Sequence, residues 1–323
     1  MTQKLGLIAD IGATNARFAL SEGESYREER VFKCVDYPRL EDAAQAYLEQ
    51  LGLMGGINSG ALAVAGPVTG DRVSMTNHPW SFSIEEARRA LGLNHLTVMN
   101  DFRAIALGVP HLTADQMRQV GPAPFTPTPC APIGIIGPGT GLGVASLIWD
   151  GVRYRPVSGE GGHVTLPART QREFDVLKTL YQKYRHISAE RVCSGKGLVN
   201  IYNALRSLEG RDDLPDRTPE EISAAAVSKT CPLCVEALDM MIAFLGVVAG
   251  NLALTLGAFG GIYIAGGICL QLGEAFFQSR FRAEFEAKGR FDAYLQNVPT
   301  ILILHPYVAL LGLAAEAREH SGS

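Results

Sequence analysis

Apolar residues along the chain switch between a period of two and a period of about 3.6, and glycine or proline usually marks the change. Leu5 to Ala9 is a continuous apolar run of strand length, Gly12-Ala13-Thr14 reads as a tight turn, and Arg17 to Ser21 runs back as a second strand. The same design recurs at Ile133 to Gly137, a glycine-rich turn over Pro138 to Gly143, and Val144 to Trp149 before the turn at Asp150-Gly151. Between the hairpins, Leu40 to Leu51 and Ile84 to Leu91 have helical spacing, while Ser59 to Ala65 and Leu96 to Met99 read as strands. Ala309 to Arg318 predicts a C-terminal helix. Mixed elements with one hairpin opening each half predict an α/β chain made of two copies of one α/β unit. Pro122, Pro124, Pro127, Pro129 and Pro132 cannot continue a helix, so the stretch from Gly121 to Pro132 is a boundary near the second copy.

From Met240 to Gly273 no residue is charged, a stretch longer than the ~20 apolar residues that span a bilayer. Gly246 and Gly250 even have the spacing of a membrane-helix pair. Asn251, Thr255, Gly257, Gly260 and Gly261 interrupt it, and the period changes from helical (Met240 to Leu256) to strand-like (Ile262 to Ala265). A buried helix, a glycine turn and a buried strand fit that change, so no membrane span is expected.

At 323 residues the chain exceeds the usual size of a single core, which favours two domains around a cleft. Its 47% hydrophobic and 19% charged residues are enough for a large core and too little charge for disorder. Lysine and arginine number 29 against 33 acids, a net charge of −4, with no long block of one sign. No nucleic-acid partner is expected, since phosphate contacts demand a basic face. Met1 to Asp10 has one lysine and an apolar run broken by an acid, the pattern of neither a signal nor a transit peptide. Six scattered cysteines agree with a reducing compartment, and a cytoplasmic location is expected. Cys231-Pro-Leu-Cys234 has the spacing of a metal knuckle, yet neither a second such pair nor a nearby histidine completes a zinc site.

Three glycine-bearing segments are candidates for phosphate or nucleotide contact. Asp10-Ile-Gly12-Ala-Thr14-Asn15 follows a strand; its glycine and threonine can turn backbone N–H groups and a hydroxyl toward a phosphate, and Asp10 could hold Mg²⁺ through water. A plain hairpin turn with a solvated aspartate explains the same residues. Gly137-Pro-Gly139-Thr140-Gly141-Leu-Gly143 allows close backbone approach to a polyphosphate, but no Lys-Ser/Thr follows and the next residues read as a strand, so it is neither a Walker loop nor a dinucleotide fingerprint. Ile262 to Ile268 is a buried strand ending in Gly266-Gly267, where missing side chains leave room for a base and ribose, or simply for a turn into a helix.

Asn100-Asp101 follows the apolar strand Leu96 to Met99, which puts a carboxylate at a strand tip, where it can take a proton from an attacking hydroxyl or merely form an Asx turn. Glu160, His163 and Glu190 lack metal-ligand geometry. Carboxylates and an imidazole suit several sugar hydroxyls, and Gly159, Gly161 and Gly162 around the first two favour a binding loop over a solvated surface.

Asp10-x-Gly-x-Thr, Gly137-x-Gly-Thr-Gly and Ala265-Gly-Gly, in that order, resemble the phosphate-1, phosphate-2 and adenosine segments of the sugar kinase, actin and heat-shock-70 superfamily. Thr76-Asn-His-Pro-Trp80, Asn100-Asp-Phe102, Ser158-Gly-Glu-Gly-Gly-His163, Glu190-Arg-Val-Cys-Ser-Gly195 and Gly250-Asn-Leu-Ala-Leu254 make the whole chain similar to the bacterial ATP-dependent glucokinase family. The related ROK branch usually carries a cysteine-rich zinc motif, and no cysteine lies between 130 and 193. Nine residues before Asp10 are too few for the helix-turn-helix of ROK repressors.

The resemblance implies a duplicated ribonuclease-H-like, actin-like ATPase fold. It has a small domain of 1–111 with 303–323 and a large domain of 112–302 around a cleft. It implies ATP and Mg²⁺ as cofactors, glucose as acceptor, and a homodimer. It assigns the phosphates to Asp10, Gly12, Thr14, Asn15, Gly137, Gly139, Thr140 and Gly141, and the adenosine to Gly266 and Gly267. Glu160, His163 and Glu190 take the sugar hydroxyls near C1 to C3, and Asn100 and Asp101 those near C3 to C6, with Asp101 as catalytic base. Asn77 and Trp80 match a segment near the sugar, although core burial explains a tryptophan equally well. Three other readings stand beside this one: a kinase for another hexose (mannose, fructose or an N-acetyl amino sugar), a non-catalytic sugar-responsive regulator, and a heat-shock-70-like ATPase, for whose substrate domain the length has no room.

Overall fold

The computed structural model describes residues 5–75, 80–122 and 127–320. Met1 to Lys4, Asn77 and Pro124 therefore lie outside the described residues.

The first apolar runs form β1 (Gly6–Ile11) and β2 (Asn15–Glu22), followed by β3 (Ser25–Lys33) and, after helix α1 (Leu40–Gln50), by β4 (Ser59–Val64). A short hairpin, β5 (Arg72–Ser74) and β6 (Ser81–Ser83), leads into α2 (Ile84–Ala90), β7 (His95–Asn100) and α3 (Asp101–Gly108). These strands make a five-stranded sheet in the order β3-β2-β1-β4-β7, with β1 antiparallel to β2 and parallel to β4, and β4 parallel to β7. Farther along come β8 (Met117–Gln119), β9 (Ile133–Pro138), β10 (Leu142–Trp149), β11 (Tyr154–Ser158), β12 (Ile262–Ile264) and β13 (Thr300–Ile303). They form a six-stranded sheet in the order β11-β10-β9-β12-β13-β8, in which β9 is antiparallel to β10 and parallel to β12, and β12 parallel to β13. The shared pattern, an antiparallel hairpin followed by parallel crossovers, is the duplication.

The chain divides into two compact units, one of Met1–Thr113, Arg155–Ser158 and His305–Ser323, the other of Ala114–Tyr154 and Gly159–Leu304. In the first, strand alternation separates two half-cores. Leu7, Ala9 and Ile11 join Phe18, Phe32 and Tyr47 beneath α1, with the Phe18 ring 5.5 Å from each of the other two. Ile8, Ala19, Ala61 and Ala63 face the other way, against α3 and the C-terminal helix Val308–His320. Asp10 shares the parity of Ile8, so it lies on the face that α3 covers. Trp80 is only 3% exposed and its indole N–H donates to the Tyr37 carbonyl at 3.0 Å, which makes it a core residue.

In the second unit, α4 (Gln171–Tyr181), α5 (Gly195–Leu208) and α6 (Pro219–Val227) pack with α7 (Pro232–Leu256). Pro232 at its first position and Gly257 in the left-handed conformation at its end delimit α7, which begins eight residues before the uncharged stretch. It is long and apolar enough to cross a membrane, yet 83% of its most apolar stretch is buried inside the protein. Gly246 and Gly250 serve that burial. A Cβ on either would come within 2.4 Å of the Phe281 carbonyl oxygen or 2.5 Å of the Phe285 carbonyl oxygen, so the pair lets the helix Phe281–Glu286 pack directly on α7.

Candidate active site

Strand register brings the first group of candidates together. Asp10 is level with Ala63 on β4, Ala63 with Met99 on β7, and all three strands run parallel and finish at one edge of the sheet. Two residues beyond Met99 is Asp101, which the sequence placed at a strand tip and which the structure makes the first residue of α3. Asn100 is the cap: its side-chain oxygen accepts from the N–H groups of Phe102 (2.9 Å) and Arg103 (3.3 Å), a contribution of about 1 kcal/mol to the helix start. Its amide donates to the Gly66 carbonyl at 3.2 Å and to the Asp101 carboxylate at 2.9 Å, while the Phe102 N–H donates to the same Asp101 oxygen. Asn100 thus uses both polar atoms of its side chain, one to cap the helix that begins at Asp101 and the other to tie the Asp101 carboxylate and Gly66. Gly66, with φ of 122°, was not among the sequence candidates; the Gly66-Pro67 turn signal was the only trace of it.

Burial pushes the Asp101 carboxyl up to about 6; the N–H of Phe102 opposes the rise and the negative charge of Asp10 adds to it. Asp10 is itself pushed upward by burial, and the Arg17 guanidinium 3.7 Å away draws it partly back. Two carboxyls that both hold their protons more tightly than usual, one of them partly through the other's charge, favour a nearby cation or a shared proton. The turn between β1 and β2 is closed by the Gly12 N–H donating to the Asn15 carbonyl at 2.9 Å, and the Thr14 carbonyl accepts from the Cys34 N–H at 2.9 Å. The Thr14 side chain is left exposed at the tip.

The second group assembles in the other unit. The β9–β10 turn is closed by the Gly139 N–H donating to Gly141 at 2.8 Å, and the Gly139 carbonyl accepts from the N–H of Gly195, the first residue of α5, at 2.9 Å. The positive end of a 14-residue helix therefore abuts the glycine turn. Glu190 reaches the same turn: its carboxylate accepts from the Leu142 N–H at 3.1 Å and occupies the space a Cβ on Gly141 would need, 2.4 Å away. Thr140 is exposed between the two glycines. Gly266, at φ 88°, packs where a Cβ would meet the Pro138 carbonyl at 2.5 Å, so Gly266-Gly267 sits directly behind the strand Ile133–Pro138 that carries Gly137.

Glu160 and His163 are exposed, and their side chains approach to 3.9 Å. The His163 carbonyl accepts from the ring nitrogen of His186 at 3.0 Å, and His163 and Glu190 line one cavity of about 330 Å³. The structure thus joins Glu160, His163 and Glu190 on one side of the glycine turn, and Asn100 with Asp101 and Asp10 in the other unit. Gly195 lay inside a segment already quoted from the sequence, but its bond to Gly139 has no sequence signal. Among the described residues no three His, Cys, Asp or Glu side chains are placed to hold a metal ion. Asp10 does offer the hard oxygen donor that Mg²⁺ takes alongside phosphate oxygens.

Fold and site define a kinase-type chain of the actin-like ATPase class. A solved glucokinase from an Antarctic psychrotroph superimposes with a TM-score of 0.88 at 33% identity, covering 98% of this chain and 99% of that one. The glucokinase of Aromatoleum aromaticum is 50% identical over 312 residues, 95% of this chain and 93% of its own, and that of Nitrobacter hamburgensis 49% over 310 residues, 96% of each. The Glucokinase family model matches residues 7–320, and the chain belongs to the glucokinase family, whose members are ATP-dependent sugar kinases.

Proposed function

We propose that this enzyme transfers the γ-phosphoryl group of ATP to the 6-hydroxyl of D-glucose, with Asp101 as the base. The observation that carries the reading is the Asp101 carboxyl, pinned by Asn100 and Phe102 and pushed up to about 6, near the pH at which a base works best. It accepts the hydroxyl proton as the phosphoryl group arrives, and Asn100 keeps its lone pair aimed. The turns at Gly12–Asn15 and Gly137–Gly141 hold the phosphates, Gly266 and Gly267 make room for the adenosine, and Glu160, His163 and Glu190 take the ring hydroxyls. Mg²⁺, when bound by Asp10 and phosphate oxygens, neutralises the charge of the transferring group. The free cysteines support a cytoplasmic setting, and a homodimer rests on the family resemblance alone.

A coupled assay of ADP release over glucose, mannose, fructose and N-acetylglucosamine, with Asp101→Asn as control, tests this. Glucose is expected to give the highest kcat/KM and the variant to lose turnover. Preference for another hexose overturns the acceptor; sugar binding without ADP release overturns the enzyme reading.

A further inference from the structure

The pair Cys231 and Cys234 takes no part in phosphoryl transfer, yet its setting is unlike that of the other thiols. Cys231 is the N-cap of α7 and Cys234 the third residue of that helix, one turn on, so the two thiols share one face of its first turn and act on each other electrostatically. The pair sits at the positive end of a 25-residue helix. The Arg217 guanidinium acts on both thiols, and its Nε is buried with no hydrogen-bond partner among the described residues. Arg211 and the phenol of Tyr202 also face this corner.

The two sulfurs are unequal. Burial raises the Cys231 thiol, but the Cys234 N–H and thiol, and then Arg217, outweigh it, and the net shift is downward. Cys234 is pushed up to about 12 by burial and by its neighbour. Cys231 is 7% exposed and flanked by exposed Thr230 and Pro232, whereas Cys234 is fully covered. Cys193 and Cys269, also fully covered, are driven upward by burial, to which the charge of Cys269 adds at Cys193. An outer, activated thiol before an inner, protonated one is the arrangement of an attacking and a resolving cysteine.

We propose that Cys231 and Cys234 are a redox-active dithiol, oxidised to an intrachain disulfide by a low-molecular-weight disulfide. The Cys231 thiolate attacks one sulfur of the small disulfide, forms a mixed disulfide and expels a thiolate. Cys234 then gives up its proton, attacks the Cys231 sulfur and expels the second thiolate. Two protein thiols lose two electrons and two protons, and the small disulfide gains both as two thiols. A reductant of the same class, in its thiol form, reverses the step.

The test uses the full chain carrying Cys130→Ser, which removes the exposed thiol. It is incubated with glutathione disulfide at about pH 8, quenched in acid, alkylated and mapped by mass spectrometry. A Cys231–Cys234 cross-link is expected, with Cys234→Ser halting at a glutathione adduct on Cys231 and Cys231→Ser reacting at least about tenfold more slowly. Native-state alkylation of the unmutated chain adds a measurement that does not depend on any variant folding: Cys231 is expected to react before Cys193, Cys234 and Cys269. In Arg217→Gln the pH midpoint of that alkylation is expected to rise, a change that loss of packing alone does not produce. Alkylation of Cys231 no faster than that of Cys193 and Cys269, or a disulfide joining any other pair, overturns the proposal.

Discussion

The two sheets begin with the same hairpin and end it differently. In the first, β1 delivers Asp10 two residues before the turn, and the closing bond runs from Gly12 to Asn15. In the second, Gly137 stands two residues before the equivalent turn, and the closing bond, from Gly139 to Gly141, is one residue tighter. The first hairpin therefore carries a carboxylate next to a second one on α3, while the second carries bare backbone, buttressed by Glu190 and by the start of α5. The two copies thus present different groups: one carries two carboxyls, the other a glycine turn open to close backbone approach. Phosphoryl transfer needs both kinds of group, and a single hairpin cannot supply a carboxylate and an uncluttered polyphosphate cradle at one position.

The division is tested most severely at Asp101. Asp101→Asn retains an oxygen to accept from Phe102 and Asn100, so the fold persists while kcat falls about 10²–10⁴-fold, the usual contribution of a general base. A near-normal kcat in steady-state assays removes the first copy's claim to the acid–base role. On the second copy, Glu190→Gln weakens the charge-assisted bond to Leu142 beside Gly141, and KM for sugar and ATP is expected to rise about 10- to 100-fold. A KM effect confined to the sugar separates a hydroxyl ligand from a support of the turn.

The pH profile gives a smaller but sharper reading. With Asp101 at about 6, kcat/KM is expected to fall about tenfold per pH unit below that value, because the protonated carboxyl cannot accept. Asp10→Asn removes the neighbouring negative charge, so the acid limb moves to lower pH even as turnover drops. The stability effect has the opposite sense to the catalytic one. A carboxyl with a raised folded-state value favours the fold below the ordinary carboxylate range, and that contribution is lost as pH rises through about 6. Asp101→Asn is accordingly expected to melt no lower than the parent at about pH 8 in calorimetry, the result if the site stores strain for function. Last, Gly246→Ala places a methyl against the Phe281 carbonyl and is expected to cost about 1–3 kcal/mol in denaturant unfolding without altering KM, confining the second copy's glycine chemistry to its turn.

Much of this was legible beforehand. The two hairpins, the strands at Ser59 and Leu96, α1, α2 and the C-terminal helix follow from periodicity, because each buries one face or is buried outright. Trp80, for which core burial and a sugar-side segment were equally good explanations, is buried in the core. β3 was missed because its outward residues are nearly all charged and its partner strand, not its own pattern, holds it in place. α3 was missed because Asn100 reads equally as a strand end or a helix cap. The membrane-like spacing at Gly246 was legible as a pattern, but its use, close packing under the Phe281–Glu286 helix, was not.

The sequence by itself determined the class of fold, the order of the glycine segments and the identity of the acidic and imidazole side chains, since these are set by local period and by residue chemistry. Only the tertiary structure decided that Asp10 raises the protonation of Asp101, that Glu190 braces the glycine turn, and that Arg217, just ahead of α6, acts on the cysteines at the start of α7. Those facts depend on strand register and burial, which couple residues far apart in the chain through distances that no local pattern encodes.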